Sequence, residues 1–209
     1  TRSIIFWIRF QALSENYEIY DNLMTKKQKC KIVVAMSGGV DSSVAAALLV
    51  QDGHDVIGVM LNLWTSGGEE NQNRCCAPDT MQDAKKVAGI LGIPFYTIDA
   101  KELFKHKVVD YLINGYEIGE TPNPCIICNR FIRWGFLLDR ARMMAADYLA
   151  TGHYARLINT FEGRVNLLRS WDESKDQSYV LAGLSQEQLA QTLLPLQELT
   201  KNQVREIAR

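Results

Sequence analysis

One junction constrains this chain more than anything else in it. KIVVAM (31–36), a short β-rich apolar run, passes through Ser37-Gly38-Gly39-Val40-Asp41-Ser42-Ser43 into VAAALLVQDG, a helical run with Gly53 as its C-cap. The same alternation continues downstream. DVIGVMLNLW (55–64) reads as a second strand and PDTMQDAKKVAGILG (78–92) as a helix opened by Pro78 and Asp79 and closed by Gly92. FYTIDA (95–100) is a third strand, and 101–119 carries helical spacing in Leu103, Phe104, Val108, Tyr111 and Leu112. Pro122 and Pro124 then force an extended or turning path, and a helix is expected to resume near Arg130 and run to about Ala146.

DYLATGHY (147–154) reads as a strand leading into a glycine turn, and ARLINTFEGRVNLLRS as a hairpin turning at Glu162–Gly163. SYVLAGL and QEQLAQTLL read as short helical segments. LTKNQVREIAR starts a helix at the Thr200 cap, with Val204, Ile207 and Ala208 on one face, and is expected to be cut off inside that helix. Strands alternating with helices predict an α/β fold, a doubly wound parallel sheet of Rossmann type. Residues 24–184 are expected to form the catalytic domain, 185–209 the helical start of a truncated second, small domain, and 1–23 an extension without assigned role. Ligands of such sheets bind at the carboxyl ends of the strands, near a switch in strand order. The loops 37–42, 65–77 and 151–154 each follow a predicted strand and are expected to share one crevice.

Composition excludes several classes. Lys plus Arg is 23 and Asp plus Glu is 24, a formal charge of −1, so any nucleic acid must be met by a local basic patch. Hydrophobic residues make up 47%, yet no run approaches the roughly 18–20 apolar residues that cross a bilayer. No membrane partner is expected. The five cysteines are odd in number in a chain that is not small, which argues against a disulfide framework and for thiols in a reducing cytoplasm. The Cys75-Cys76 pair reads more readily as partly buried than as reactive. His54 and His106 read as solvated, and Trp64, Trp134 and Trp171 as packing residues. Lys26, Lys27, Lys29 and Lys31 are either a solvated basic cluster or a phosphate contact.

SGG alone in the heptapeptide at 37–43 reads as a glycine-rich turn with a Ser/Asp cap; the whole heptapeptide, after a strand and opening a helix, reads as an anion site. Two glycines let the backbone approach a phosphate, Ser37, Ser42 and Ser43 supply hydroxyls, and the helix start supplies N–H groups and its positive dipole end. Asp41 is out of place there unless a cation joins it, and Mg²⁺ bridging Asp41 and a pyrophosphate accounts for it. The loop is neither a Walker A loop nor G-x-G-x-x-G. It resembles the PP-loop of the N-type ATP pyrophosphatases. That resemblance implies the adenine nucleotide alpha hydrolase type of fold, ATP cleaved between its α and β phosphates, and an adenylated intermediate.

Five further segments fall in the order found in one branch of that group: GHDVIGVMLNLW, NRCCAPDTMQDAKKVAGILGIPFY, GETPNPCIICNRFIRWG, DYLATGHYARL and KDQSYVLAGLSQEQL. From about Lys31 to Arg209 the chain resembles the tRNA-specific 2-thiouridylases, the MnmA family. The resemblance implies ATP-dependent replacement of the C2 oxygen of a tRNA wobble uridine by sulfur. It implies that Ala35, Met36, Ser37, Gly38, Gly39, Val40, Asp41 and Ser42 cradle ATP, with Leu61 at the adenine and Gly152 in the same site. Asn123, Pro124 and Cys125 match the segment meeting the target base, and Cys128 matches the nucleophilic cysteine. His153, Lys175, Asp176 and Gln177 match tRNA-contacting positions. A sulfur donor is implied, a cysteine desulfurase or a sulfur carrier, together with a second, persulfide-bearing cysteine expected beyond Arg209.

The carbonyl at position two of uracil is a poor electrophile, so adenylation must precede attack by sulfur. Thiolates are the reactive form, and Arg130, Arg133 and the start of the following helix are expected to favour one at Cys128. One departure stands out. Cys125 occupies the position where the better-known family pattern has an Asp with an acid/base role, which makes Cys125 and Cys128 a CxxC. Three uses compete: a redox pair, half of an iron–sulfur or other metal site, or a plain replacement with water as the base. Two other readings of the chain stay open: another PP-loop synthetase or RNA thiolase, and an ATP- and tRNA-binding fragment without full turnover.

Overall fold

The computed structural model describes residues 29–63 and 78–209. The extension 1–23, Lys26, Lys27, Trp64, the 65–77 loop and Cys75-Cys76 lie outside the described residues. Strand β1 (Lys31–Ala35) leads through the glycine turn into helix α1 (Val40–Gln51). Strand β2 (Asp55–Asn62), helix α2 (Pro78–Leu91) and strand β3 (Phe95–Asp99) follow. Helix α3 (101–117) is α-helical at both ends with a π-helical stretch, Lys105–Val109, between. Helix α4 (124–143) likewise widens to a π-helix over Cys128–Leu137. Strand β4 (Tyr148–Ala150), the hairpin β5 (Arg156–Asn159) and β6 (Val165–Leu168), helix α5 (Gln186–Ala190), strand β7 (Thr192–Leu193) and helix α6 (Lys201–Ile207) complete the chain.

The main sheet is parallel throughout, in the order β3-β2-β1-β4-β7. Its centre is β1, whose Ile32, Val33 and Val34 are fully buried because helices cover both faces. Ile32 and Val34 pack towards α1 and α2, with Met36, Ala46, Leu49, Ala84 and Ala88. Val33 packs on the opposite side with Trp134, Leu137, Leu138 and Ala141 of α4. The chain winds one way from β1 to β2 and β3 and the other way to β4 and β7. The switch in strand order therefore lies between β1 and β4, and the loops after those two strands part there to leave a crevice.

Three sequence expectations change. The helix after TPNP does not wait for Arg130: it begins at Pro124, capped by Asn123, whose side chain accepts from the Cys125 N–H at 3.0 Å. Proline at a first helical position costs no hydrogen bond, since that N–H has no partner inside the helix. The strand expected to lead into a glycine turn within 147–154 is β4, and Thr151, Gly152 and His153 after it line the crevice. Thr192 and Leu193, read as helical, pair with β4. Residues 185–209, expected to open a second domain, instead complete this one. Strand β7 extends its sheet, and Leu196 and Val204, both with no exposed surface, pack on Val44, Ala45 and Leu48 of α1. Trp134 is buried as expected, whereas Trp171 is half-exposed with the Arg156 guanidinium 5.6 Å from its ring centroid.

Candidate active site

The phosphate loop is built from its own hydroxyls. The Ser42 hydroxyl, almost fully buried, accepts from the Ser37 N–H at 3.1 Å and donates to the Gly39 carbonyl at 3.0 Å. The Ser43 hydroxyl donates to the same carbonyl at 2.9 Å. These bonds fold the loop back over the first turn of α1, whose N-terminal N–H groups and dipole are directed at whatever enters. Gly38 has φ +74°, and a Cβ there would lie 2.1 Å from the Thr80 carbonyl oxygen. Gly152 is required by proximity instead. A Cβ at Gly152 would lie 2.7 Å from the Asp41 carbonyl carbon and 2.8 Å from the Ser42 nitrogen. The loop after β4 thus presses directly on the loop after β1.

Between them lies a cleft of about 220 Å³. Ala35, Met36, Ser37, Asp41 and Ser42 line it from the phosphate loop, Leu61 and Leu63 from the end of β2, and Gly152, His153 and Gln177 from the far wall. Cys128, Ile132 and Arg133 of α4 close it. Ten of the sequence-expected positions therefore share one cavity, while Gly38, Gly39 and Val40 shape the loop beside it. Asn123, Pro124 and Cys125 sit at the N-terminus of α4, with Cys125 exposed and Cys128 one turn further in, at the start of the π-helical stretch. The helix start that favours an anion is thus nearer Cys125 than Cys128. No disulfide joins Cys30, Cys125 or Cys128.

Arg133, but not Arg130, serves the cleft. Arg133 Nη1 donates to Asn129 Oδ1 at 2.9 Å and to His153 Nε2 at 3.3 Å, while Arg130 stacks on the exposed Phe131, 5.3 Å from its centroid. An arginine can only donate, so His153 Nε2 accepts, and Nδ1 carries the proton and donates to Thr151 Oγ1 at 2.7 Å. Burial, and then the Arg133 charge, lower the His153 pKa to about 3, so its ring is neutral at physiological pH. Its ring lies 5.5 Å from that of Trp134.

Lys175 is exposed in a short turn, Glu173–Lys175. The Asp176 carboxylate is engaged within its own loop, accepting from the Ser170 and Ser178 backbone N–H groups and the Ser178 hydroxyl. Those bonds lower its pKa against the opposing effect of partial burial. Gln177 is joined to Tyr154 in both directions, donating to its carbonyl at 2.8 Å and accepting from its N–H at 3.1 Å.

Two residues of the site were assigned no role from the sequence, Tyr154 at the end of ATGHY and Lys201. Asp41 Oδ1 accepts from the Tyr154 hydroxyl at 2.7 Å and from Lys201 Nζ at 2.5 Å. Burial, and then the bond to Asp41, raise the Tyr154 pKa far above its ordinary value, so its hydroxyl remains a donor. Among the described residues no cluster of three or more Cys, His, Asp or Glu side chains could hold a metal, and no helix is long and apolar enough to cross a membrane.

Comparison with known proteins follows the same lines. The family described as tRNA methyl transferase HUP domain matches residues 30–209. A tRNA-specific 2-thiouridylase MnmA from Desulforamulus reducens is 51% identical over 184 residues, covering 86% of this chain and 50% of the relative. The protein of the same name from Clostridium perfringens is 50% identical over 188 residues, covering 89% and 51%. The chain thus spans about half the length of the curated relatives it matches. Among solved structures, a predicted subunit of tRNA methyltransferase from Methanocaldococcus jannaschii aligns with TM-score 0.50 and 21% identity over 86% of this chain and 74% of that one. A glutamine-dependent NAD+ synthetase from Acinetobacter baumannii, solved with ADP, aligns with TM-score 0.51 and 16% identity over 90% and 29%. These two likenesses concern the fold alone.

Proposed function

The chain belongs to the tRNA methyl transferase HUP domain family, and from that membership we propose that it is the ATP- and base-binding part of a tRNA 2-thiouridylase. One observation carries the reading: the phosphate loop, the glycine of ATGHY and the Cys128 thiol all line a single cleft at the switch point of the sheet. A nucleotide phosphate on the α1 N-terminus and a uracil beside Cys128 are then within one cavity of each other.

The chemistry proposed for that cavity has three displacements. The uracil O2 attacks the α-phosphorus of ATP, pyrophosphate leaves, and the base carries AMP on its former carbonyl oxygen. The outer sulfur of a cysteine persulfide, charged by the sulfur donor, then attacks C2 and AMP departs with that oxygen; thiolate attack on the inner sulfur breaks the S–S bond, leaving the thiocarbonyl on the base and a disulfide between the two cysteines. The α1 N–H groups and the Ser37 and Ser42 hydroxyls hold phosphate oxygens, and Gly152 admits the second loop close to them. Cys128 is the proposed thiolate that attacks the inner sulfur, and Arg133 is the one cationic side chain among the described residues lining the cleft. Magnesium fits this donor set: Asp41 lines the cleft, and its Oδ2 accepts no hydrogen bond from any described residue. Bound there with ATP, it would neutralise phosphate charge.

The CxxC supplies two thiols, and the described residues offer no third ligand beside them. An iron–sulfur cluster therefore does not fit this chain's described residues alone. The substrate proposed is the wobble uridine of a tRNA, reached with sulfur from a cysteine desulfurase or carrier, and the proposed setting is the cytoplasm. A second reading rests on the chain's covering about half of its relatives: a binding unit that completes turnover only with further residues.

The test is to incubate the chain with ATP labelled at the α-phosphate and Mg²⁺, with and without tRNA. Labelled AMP or labelled tRNA appearing only with tRNA is the expected result. ADP and phosphate would overturn the pyrophosphatase chemistry. Bound ATP without turnover would favour the second reading.

A further inference from the structure

Among the described residues lining the cleft Asp41 is the only acidic one, and it stands in the first turn of α1, where a phosphate is proposed to bind. A bare carboxylate there is itself favoured by the helix dipole, but it offsets that positive end and repels a phosphate. The structure answers this with a residue 160 positions away. Lys201 Nζ lies 2.5 Å from Asp41 Oδ1, with 21% of the lysine side chain and 34% of the aspartate side chain exposed. The lysine is held at its backbone and at its ammonium. Its backbone N–H donates to Asp172 Oδ2 at 3.0 Å, its ammonium lies 5.7 Å from the Tyr154 ring centroid, and the fully buried Val204 anchors its helix against α1. Exposed ion pairs contribute little because ordering two long side chains offsets the attraction. Here the lysine is already ordered by contacts that do not involve Asp41.

We propose that Lys201 is the built-in counter-ion of Asp41, a positioning residue that cancels the carboxylate charge at the phosphate loop and, with Tyr154, ties Oδ1 while leaving Oδ2 for a divalent cation. The inference rests on the nucleotide reading of the cleft. It makes α6 part of the phosphate site, although no local pattern around Thr200-Lys201 signals this.

Titration calorimetry with ATP tests it, in EDTA and again in Mg²⁺, without tRNA. Lys201→Met keeps the stem and removes the charge; in EDTA it is expected to weaken ATP binding about tenfold, the scale of a lost hydrogen bond to a charged group. Lys201→Arg restores the charge and most of the affinity. Asp41→Asn removes the repulsion, so it binds free ATP at least as tightly as the parent, and adding Lys201→Met to it changes affinity less than about twofold. Added Mg²⁺ narrows the gap between Lys201→Met and the parent. Equal binding by Lys201→Met and the parent overturns the proposal. So does an undiminished loss in the Asp41→Asn background, which would mean direct phosphate contact or a fold defect, or a loss of ATP binding in EDTA on Asp41→Asn alone. If the parent itself does not bind ATP, the nucleotide reading fails, and this inference falls with it.

Discussion

His153 shows how a single residue can be legible by position and misleading by chemistry. Its place after a strand end marks it as a ligand-side residue, and the structure puts it in the cleft wall. Only 8% of it is exposed, however, and its ring is fixed between Thr151 and Arg133 rather than offered to solvent. With a folded pKa of about 3 against an ordinary 6.5, the unfolded chain binds a proton that the folded chain refuses between those values. Stability contributed by this neutral histidine is thus fully present above pH 6.5 and is lost as pH falls towards 3, by up to about 1.4 kcal/mol per pH unit. Urea unfolding between pH 7 and pH 5 is expected to show a decline that His153→Gln reduces. A His153 ring whose NMR shifts titrate between pH 5 and 8 would overturn this assignment. The same residue scale explains why Asp41 was read as needing a metal: Tyr154 and Lys201 are 113 and 160 positions away, beyond any local pattern.

At the scale of elements, the parallel strands were legible because each buried strand is a short apolar run closed by a turn. β1, β2 and β3 fall within a residue or two of the expected runs, and Gly53, Gly92 and Gly163 all take positive φ at the turns where they were read. The misread elements share another cause, tertiary context. Strand β7 has two residues, too few to show a period, and exists because β4 offers it an edge. The π-helical widening of α4 leaves no mark in its apolar spacing. What joins these two elements is a buried polar chain. Trp134 Nε1 donates to Thr192 Oγ1 at 2.6 Å, that hydroxyl donates to the Gln188 carbonyl at 2.6 Å, and Gln188 Nε2 donates to the Trp134 carbonyl at 2.8 Å. Thr192→Val keeps the shape and strands the indole N–H of a residue only 1% exposed. A loss of about 1–3 kcal/mol is expected in urea unfolding, the cost of a buried donor without its acceptor. Thr192→Ser, which keeps the hydroxyl, should lose less; equal losses would show that the methyl group, not the bond, is what matters.

The described residues form one unit, and β7 and α6 bind it together. The sequence placed a boundary at 184–185 because the strand–helix alternation breaks down there into short segments. Yet beyond it β7 joins the sheet, Leu193 accepts from the Thr151 N–H at 3.2 Å, and α6 delivers Lys201 to Asp41. Removing residues 192–209 would strip the edge from β4, uncover the α1 face formed by Val44, Ala45 and Leu48, and delete the fully buried Leu196 and Val204. Each large buried side chain lost from a core costs about 2–5 kcal/mol. Two such losses, with the sheet edge in addition, approach the roughly 5–15 kcal/mol that holds a domain folded. The shortened chain is therefore expected to lose its sharp thermal transition in near-ultraviolet circular dichroism, and its ATP binding with it. If residues 185–209 were only the start of a separate domain, the shortened chain would melt as sharply and at the same temperature as the whole. It would also bind ATP unchanged, and α6 would then have no part in the phosphate site.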